Sequence, residues 1–318
     1  MPSPESPDLT VIMVSYNTRE LTLVALRTLF ENSGPVSMEV ILWDNASADG
    51  SADAVEKEFP DVILVRSPDN LGFAAANNAA ARMASAEWLL LLNPDTETYP
   101  NAISNLLDFA KANPQAGIVG GRTVFPDGSL NPASCWSRIT VWSLFCSAFG
   151  LTAAFPRSSL FNPEAFGAWK RDTVREVDIV SGCFFLLPTR LWNELGGFRE
   201  KYFMYGEEAD LCLRAQRKGC QPMITPDAQI MHLVGASTNL RSDKVVRIQR
   251  ARSTLIRDHW ASWKVPIGLM LLWFWAANRS AFHAFMGLIG RERPATATWR
   301  DVWQNRRLWL GGYQAETH

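Results

Sequence analysis

Two groups of carboxylates, far apart in the chain, have the residue types needed for group transfer. Asp95 ends the stretch LLLLNPD, and Glu207, Glu208 and Asp210 lie together in YGEEAD. A carboxylate such as Asp95 can bind a hard divalent cation, and that cation can hold a diphosphate. A carboxylate of the second group can take a proton from a hydroxyl nucleophile. Together the two groups indicate transfer from a nucleotide-diphosphate donor to an alcohol.

The elements that must position these groups alternate along the first two-fifths of the chain. Strands are predicted in LTVIMVSYN, MEVILWDNAS, VILVRSPDN and EWLLLLNPD, and helices in RELTLVALRTLFEN, DGSADAVEKEF and FAAANNAAARMA. Apolar strands that alternate with helices are typical of a parallel sheet covered on both faces. Later strands are predicted in VDIVSGCFFLLP and PDAQIMH, on either side of a helix that begins at YGEEAD. The sequence therefore predicts an α/β fold with a mainly parallel central sheet flanked by helices.

A polar cluster follows each of the first four predicted strands. In such sheets, ligands bind beyond the carboxyl ends of the strands. Any single cluster is also a common cap for the helix that follows it. Four clusters at one sheet edge favour a binding site over capping alone. The clusters are Ser15-Tyr16-Asn17, Asp44-Asn45-Ala46-Ser47, Asp69-Asn70-Leu71-Gly72 and Asn93-Pro94-Asp95.

The order of these motifs resembles glycosyltransferase family 2, whose members have the GT-A fold. DNASADGS, which begins at Asp44, matches the family pattern D-N-x-S-x-D-G-S. NLGFAAANNAA, which begins at Asn70, matches N-x-G-F-x-x-x-N-N-x-G, with Ala80 in place of the usual Gly. The end of the first strand resembles the family's in VSYN, and LLLLNPD lies at the place of the D-x-D motif. The acidic motif resembles YGEEADLCLR, and the His-containing loop after it resembles HLVGAST. The six elements span residues 9–238 and most resemble the rhamnosyltransferase-like bacterial enzymes of cell-wall and O-antigen assembly.

The resemblance implies a cofactor, Mg²⁺ or Mn²⁺, at the D-x-D position. In the family the last acid of this motif contacts the metal, and the first contacts the nucleotide or sugar. Asp95 keeps the metal role, whereas Asn93 retains hydrogen-bonding capacity without charge. His232 is the expected further metal ligand, and an imidazole ligand would favour Mn²⁺. The alternative is that His232 merely ends a strand.

The resemblance also implies that the Glu-Glu pair contains the catalytic base. The family usually has Asp at the second position, where this chain has the longer Glu208, so Glu207 is the rival base. Asp210 is expected to orient arginine or backbone groups, and it can pair with Arg214 one helical turn away. The alternative is a solvated first turn whose negative charges suit the helix dipole.

The other motif residues are expected to hold the nucleotide sugar. Asp44 would contact the base or ribose. Ser181-Gly182-Cys183 resembles a family loop under the donor sugar, where a small residue permits close approach. The alternative is that these three residues belong to a strand with a glycine bulge. The expected nucleotide and donor contacts are Ser15, Tyr16, Asn17, Asp44, Asn45, Ser47, Asn70, Gly72, Asn77, Asn93, Ser181, Gly182 and Cys183.

The implied reaction is a single displacement that inverts the anomeric configuration. Glu208 would deprotonate the acceptor hydroxyl, and the nucleoside diphosphate would leave. The subgroup resemblance indicates dTDP-rhamnose as the donor, with UDP-sugars as the alternative. The expected acceptor is a glycan or a polyprenyl-lipid-linked sugar in cell-surface polysaccharide assembly.

Charge and tryptophan content set the C-terminal part of the chain apart. Residues 241–318 contain 13 Lys and Arg against 5 Asp and Glu, and seven of the 13 Trp. The remainder contains 18 basic against 27 acidic residues. We expect a GT-A catalytic domain over residues 1–240 and a basic helical extension over residues 241–318. The nucleotide-binding half would span about 9–120, and the acceptor and base half 121–240.

The extension contains an apolar run, VPIGLMLLWFWAA, that is too short to span a bilayer. With AFHAFMGLIG after it, the run predicts a pair of interfacial helices that contact a membrane peripherally. The alternative is a helical hairpin packed on the domain. The five scattered Cys favour a reducing compartment, and MPSPESPDLT has no feature of a secretory signal. The expected location is cytoplasmic, at the inner face of the plasma membrane.

Other classes of protein fit the sequence less well. A nicotinamide enzyme would need G-x-G-x-x-G after the first strand, where the chain reads SYNTRE. A nucleotidyltransferase would need a basic, glycine-rich loop there. A catalytically silent nucleotide-sugar binding protein remains an alternative, because Asn93 replaces the first acid of the D-x-D motif. No nucleic-acid partner is expected.

Overall fold

The computed structural model describes residues 6–233, 241–291 and 295–314. Within these residues the chain divides into two compact units. Unit 1 comprises residues 6–136, 170–203 and 207–233, and unit 2 comprises residues 137–169, 204–206, 241–291 and 295–314. The predicted domain boundary at residue 240 lies outside the described residues. No sequence pattern indicated that residues 137–169 group with the C-terminal helices.

The described residues form eleven strands, twelve α-helices and three short 3-10 turns. The strands are β1 (Leu9–Ser15), β2 (Met38–Asp44), β3 (Ile63–Arg66), β4 (Trp88–Leu92), β5 (Thr96–Thr98), β6 (Val119–Val124), β7 (Cys135–Trp136), β8 (Arg175–Glu176), β9 (Ile179–Val180), β10 (Phe184–Pro188) and β11 (Met223–His232). The helices are α1 (Arg19–Asn32), α2 (Ser51–Glu58), α3 (Gly72–Ala81), α4 (Ala102–Ala112), α5 (Val141–Ala148), α6 (Leu151–Ala154), α7 (Thr189–Leu195), α8 (Glu207–Arg217), α9 (Arg241–His259), α10 (Val265–Leu288), α11 (Ala295–Gln304) and α12 (Arg306–Gly311). The 3-10 turns are Pro114–Ala116, Pro132–Ser134 and Ser262–Lys264.

Unit 1 is built on a mixed sheet that contains nine of the described strands. The strand order is β3-β2-β1-β4-β10-β6-β11-β5, and β8 pairs with β11. The first four strands are mutually parallel, as the strand–helix alternation predicts. β10, β5 and β8 run antiparallel to their neighbours. The predicted α/β fold is confirmed. Most of the parallel strand pairs lie among β1 to β4, in the first part of the chain.

The predicted strand VDIVSGCFFLLP is divided into two strands. β9 pairs with β7 in a separate two-stranded sheet, whereas β10 pairs with β4 and β6 in the main sheet. Between them, the amide of Phe184 donates to the carbonyl oxygen of Ser181 at 3.4 Å, which closes a turn over residues 181–184. The prediction of one continuous strand is wrong, because its two halves pair with different partners.

The core of unit 1 explains why its strands are apolar throughout. Leu9, Val11 and Met13 of β1 are completely buried and pack in one cluster with side chains of α1 and α4. Thr10 and Ile12, on the opposite face of β1, are buried as well. A strand covered on both faces cannot alternate apolar and polar residues.

In unit 2, α10 replaces the predicted pair of tail helices. It is one continuous helix of 24 residues that runs through Asn278, Arg279 and Ser280. These residues are polar but contain neither Gly nor Pro, so they do not end a helix. Asn278 instead donates a hydrogen bond to the carbonyl oxygen of Ala148 at 2.9 Å. The predictions of two helices and of a hairpin are both wrong. No helix in the described ranges is long and apolar enough to cross a membrane.

Close packing between β6 and β11 generates a stability prediction. A Cβ on Gly121 would overlap the carbonyl oxygen of Ala228, where the register of β11 against β6 shifts. We expect Gly121→Ala to lower the free energy of unfolding by about 1–3 kcal/mol, because the bulge must move. Chemical denaturation measures this change.

The control is Gly287→Ala in α10, where a new methyl group would meet no described atom within 4 Å other than its chain neighbours and the backbone of its own helix. Its stability should equal or exceed that of the wild type, because alanine favours a helix over glycine. Equal stability of Gly121→Ala and the wild type would contradict the close packing of β6 on β11.

Candidate functional site

The loops after β1 and β2 are tied together by hydrogen bonds. The amide of Asn17 donates to Oγ of Ser47 at 2.9 Å, and the amide of Ala48 donates to Oδ1 of Asn17 at 2.8 Å. Asn17 has a φ of 51°, in the left-handed region that asparagine tolerates better than most residues. Two of the predicted polar clusters therefore meet at the carboxyl edge of the sheet.

The loop after β3 joins them through paired asparagines. Asn45 donates from Nδ2 to Oδ1 of Asn70 at 2.9 Å, and its own Oδ1 accepts from the amide of Leu71 at 2.9 Å. Oδ1 of Asn70 also accepts from the amide of Gly72 at 2.9 Å. A Cβ on Gly72 would overlap Phe203, and its φ is 79°. Asn45 and Asn70 thus hold the two loops together through side-chain hydrogen bonds to each other and to the main chain, and Gly72 permits the close contact with Phe203.

Asp44 lies in a pocket of about 550 Å³ at the ends of β2 and β3. Its Oδ2 accepts from the amide of Ser47 at 3.1 Å. Its Oδ1 is buried without a hydrogen-bond partner in the described structure. Leaving a buried acceptor unpaired is costly, so an N–H group of a ligand that reached this oxygen would supply the hydrogen bond that it lacks. The pocket is lined by Asp44, Ala46, Ser47, Ala48, Gly50, Ala52, Asp53, Arg66, Ser67 and Pro68.

Three other expected nucleotide contacts differ in their exposure. Ser15 is completely buried, and its hydroxyl lies 3.1 Å from that of Thr18 and 2.9 Å from that of Thr22. Asn77 is buried and donates to the carbonyl oxygen of Phe73 at 2.8 Å. Tyr16 is exposed. Of the three, only the Tyr16 side chain is free to meet a ligand without a rearrangement.

The pairing of β5 with β11 brings Asp95 to His232. In this antiparallel pair His232 is opposite Thr96, and the amide of Leu233 donates to the carbonyl oxygen of Asp95 at 3.0 Å. Oδ1 of Asp95 lies 3.2 Å from Nε2 of His232, and both side chains are largely buried. Burial alone would lower the pKa of His232, but the neighbouring Cys183 sulfur and Asp95 carboxylate outweigh it and raise the pKa to about 10.

The donor atoms of Asp95 and His232 fit a divalent cation. A carboxylate oxygen and an imidazole nitrogen that lie side by side can bind the same ion in place of the proton between them. No group of three His, Cys, Asp or Glu side chains that could hold a metal occurs in the parts of the chain that the structure describes. An ion here would complete its coordination with diphosphate oxygens and water.

The turn over residues 181–183 lies between this pair and the acidic helix. The amide of Asn93 donates to the carbonyl oxygen of Cys183 at 3.1 Å. A Cβ on Gly182 would lie 3.7 Å from Cβ of Glu208 and 3.5 Å from the ring of Phe73. Oδ1 of Asn93 is buried without a hydrogen-bond partner in the described structure. The turn therefore connects the end of β4 with the start of α8.

The three carboxylates of α8 have different surroundings. Glu208 is half-buried, whereas Glu207 is buried and Asp210 is completely buried. Asp210 pairs with Arg214 at 2.7 Å, as expected, and with Arg199 at 3.1 Å. The alternative of a solvated first turn is wrong for Glu207 and Asp210.

Arg214 also joins α8 to the end of α7. It donates to the carbonyl oxygens of Leu195 and Gly197 at 2.6 and 2.7 Å. Sequence reasoning missed Arg199, which lies eleven positions from Asp210, beyond the reach of any helical spacing rule. Residues 234–240, most of the predicted HLVGAST loop, lie outside the described residues.

Comparison with known proteins identifies similar sequences. The family model described as Glycosyl transferase family 2 matches residues 10–177. N-acetylglucosaminyl-diphospho-decaprenol L-rhamnosyltransferase of Mycobacterium tuberculosis is 30% identical over 245 residues, which cover 72% of this chain and 77% of that protein. The O-antigen biosynthesis protein RfbC of Myxococcus xanthus is 26% identical over 269 residues, which cover 81% of this chain and 19% of that protein.

Solved structures with a similar fold include two from more distant proteins. Mannosyltransferase PcManGT from Pyrobaculum calidifontis, in complex with GDP-Man and Mn²⁺, has a TM-score of 0.58 at 21% identity, covering 98% of this chain and 89% of that one. S. aureus TarS 1-349, in complex with UDP-GlcNAc, has a TM-score of 0.53 at 14% identity, covering 95% and 81%. These likenesses show the fold, which is the GT-A fold that the sequence motifs imply.

The raised pKa of His232 predicts that Mn²⁺ binding depends on pH. Below about pH 10 the metal-free imidazole is protonated, so a cation must displace one proton to bind Nε2. In the presence of a nucleoside diphosphate, the apparent Mn²⁺ affinity should rise by up to about tenfold per pH unit between about pH 6 and pH 8. Titration calorimetry in buffers of different ionisation enthalpy measures the affinity and the released proton.

The matched variant is His232→Gln, which should bind Mn²⁺ more weakly and release fewer protons. The phosphates of the nucleotide titrate near pH 6 in both proteins, so the difference between the proteins isolates the imidazole. The same pH dependence in wild type and variant would contradict a metal-ligand role for His232.

Proposed function

The chain belongs to glycosyltransferase family 2, and we propose that it is an inverting, metal-dependent enzyme that transfers rhamnose from dTDP-rhamnose to a lipid-linked glycan. One observation carries the proposal: the turn at Gly182 lies beside Glu208 and is bonded to the strand end that precedes Asp95. A candidate base and a candidate cation ligand therefore flank one turn, as a single displacement requires.

The Asp44 pocket is the proposed nucleotide-base site. The unpaired Oδ1 of Asp44 would accept the imino N–H of a pyrimidine base. Thymine and uracil both have this group, so UDP-sugars remain the alternative donors. Rhamnose is supported by the M. tuberculosis relative, whose name is that of an L-rhamnosyltransferase. The same name contains N-acetylglucosaminyl-diphospho-decaprenol, which supports a lipid-linked acceptor.

Asp95 and His232 would hold Mg²⁺ or Mn²⁺. When bound, the cation would neutralise charge on the departing diphosphate. Asn93 provides only a neutral, buried oxygen at the position where the family usually has an acid. In our proposal this oxygen accepts a hydrogen bond from a hydroxyl of the donor, which leaves the metal charge to be balanced by Asp95 and the phosphates.

Glu208 is the proposed base. It is only half-buried and lies next to Gly182, whereas Glu207 is buried and Asp210 is neutralised by two arginines. As the acceptor oxygen bonds to the anomeric carbon, the bond from that carbon to the diphosphate oxygen breaks, and its electron pair leaves with the diphosphate. The hydroxyl proton passes to a carboxylate oxygen of Glu208. Attack opposite the leaving group inverts the configuration, and Asp210 positions α8.

The proposed setting is cell-surface polysaccharide assembly at the cytoplasmic face of the plasma membrane. A lipid-linked acceptor places the reaction at a bilayer, and the basic extension would make a peripheral contact there. The second candidate function is a catalytically silent nucleotide-sugar binding protein. It is favoured by Asn93, which removes one negative charge from the usual metal motif.

Binding of the nucleotide should depend on the buried charge of Asp44. Asp44→Asn is expected to weaken dTDP binding roughly tenfold to a hundredfold, because a hydrogen bond to a buried carboxylate contributes more than one to an amide. The matched control is Asp53→Asn, because Asp53 lines the same pocket but is 79% exposed and pairs with Arg66. Titration calorimetry measures both affinities, and equal effects of the two substitutions would argue against base contact by Asp44.

Donor turnover is the test of the transferase itself. Release of nucleoside diphosphate should occur from one donor in a panel of nucleotide sugars, should require Mn²⁺ or Mg²⁺, and should increase when membrane lipid extract supplies an acceptor. Glu208→Gln should lower kcat by about 10²–10⁴ while dTDP binding is retained.

Glu207→Gln is the matched variant, and it should reduce kcat less than Glu208→Gln. A larger loss in Glu207→Gln would transfer the base role to Glu207. If no donor releases its diphosphate even with lipid extract, although dTDP binds, the chain is the silent binding protein.

A further inference from the structure

Exposed apolar side chains are concentrated in unit 2. Among the residues that the structure describes, 21 large apolar side chains are exposed, and 13 of them belong to this unit, although it is the smaller of the two. Scattered exposed apolar residues need no explanation, but a contiguous set marks an interaction surface. These side chains therefore indicate an interaction surface only if they lie next to one another.

Part of the set forms a continuous row of aromatic rings. Trp142, Phe145 and Phe149 follow one side of α5, and all three are exposed. The rings of Trp142 and Phe145 are 5.6 Å apart, and those of Phe145 and Phe149 are 4.5 Å apart. Phe149 lies 5.2 Å from Phe274 of α10. We call these four residues the aromatic row, which joins α5 to α10.

Two pairs of exposed apolar side chains on α10 add to the row and form an interrupted stripe. Met270 and Trp273 lie in the first half of the helix, and Phe285 and Leu288 lie near its end, where Leu288 is 86% exposed. Leu271, Leu272 and Ala276, on the other side of the helix, are buried in the core of unit 2. One side of α10 therefore buries apolar side chains in the core, and the other side exposes apolar side chains. The aromatic row and this stripe together are called the apolar face below.

Unit 2 is basic, and two of its cations lie beside tryptophan rings near the apolar face. The sequence of unit 2 contains 15 Lys and Arg against 6 Asp and Glu. Nζ of Lys264 lies 5.1 Å from the ring of Trp263, which is 69% exposed in the 3-10 turn before α10. The ring of Trp273, which belongs to the face, lies 5.5 Å from the ring of Trp303. The guanidinium of Arg306 lies 4.9 Å from the Trp303 ring. Tryptophan and basic residues thus border the more purely apolar side chains.

We infer that the apolar face docks on an anionic phospholipid bilayer, with α10 parallel to the membrane plane. Phe, Leu and Met side chains enter the acyl boundary, Trp rings lie at the headgroup level, and Lys and Arg attract anionic lipid. The excess positive charge of unit 2 selects this partner over a neutral apolar one. The inference rests on the proposed function and deepens its membrane contact, because it assigns part of that contact to residues 137–169.

Flotation with lipid vesicles tests the inference on the full chain. The protein should float with vesicles of phosphatidylcholine that contain about 30% phosphatidylglycerol, and much less with pure phosphatidylcholine. The double variant Phe145→Ser/Phe149→Ser and the single variant Phe285→Ser should each lose at least about tenfold in partition coefficient, because each removes apolar area from the membrane. High salt should weaken wild-type binding.

The matched control is Met83→Ser, which removes an exposed apolar side chain from unit 1 and should bind vesicles like the wild type. Thermal unfolding and dTDP binding of every variant show that the fold is retained. The inference is overturned if the folded variants float like the wild type, or if the wild type binds no vesicles of either composition.

The inference is also overturned if the wild type is a dimer by light scattering and the folded variants are monomers that bind vesicles unchanged. In that case the apolar face joins two copies of the chain. Donor turnover is measured without vesicles, so failure of membrane docking and failure of the transfer reaction are separate results.

Discussion

The antiparallel pairing of β5 with β11 is the constraint on which the candidate site depends. β5 has only three residues, yet its register places His232 opposite Thr96 and so brings an imidazole to 3.2 Å from the Asp95 carboxylate. A shift of one residue would turn His232 to the other face of the sheet, because side chains alternate along a strand. The metal-binding chemistry proposed for this site therefore depends on main-chain hydrogen bonds between two distant parts of the sequence.

The turn between β9 and β10 completes the arrangement. Gly182 of this turn lies beside Glu208, and the amide of Asn93 bonds to the carbonyl oxygen of Cys183, the next residue. The neighbours of the proposed base hold it in place, because Asp210 anchors the start of α8 through its ion pairs with Arg199 and Arg214. A buried carboxylate between two guanidinium groups makes this helix end costly to displace, since removing one partner would leave a buried charge unpaired.

Unit 2 differs from unit 1 because one of its helices has an apolar side that stays exposed. Its helices bury one side of α10 in a core with Ile256, Val302 and Trp309, while the other side remains apolar and exposed. An exposed apolar surface of this kind is typical of a site that binds a partner or a membrane. The asymmetric distribution of charge agrees with use at an anionic surface, which a lipid-linked acceptor would also require.

The local sequence determined the alternation of β1 to β4 with α1 to α3, since apolar runs and helical spacing are short-range signals. It also placed the polar residues at the strand ends and predicted the Asp210–Arg214 pair, which lies within one helical turn. The family resemblance implied that Asp95 and His232 share a site. Only the tertiary structure gave the register of β5 against β11 that brings them together, the division of VDIVSGCFFLLP between two sheets, and the pairing of Arg199 with Asp210. Each of these depends on pairing or packing between distant segments, and a single sequence carries no local signal for register. The continuous α10 was missed for a related reason: a polar triplet suggested a break, but packing and the bond from Asn278 to Ala148 favour an unbroken helix.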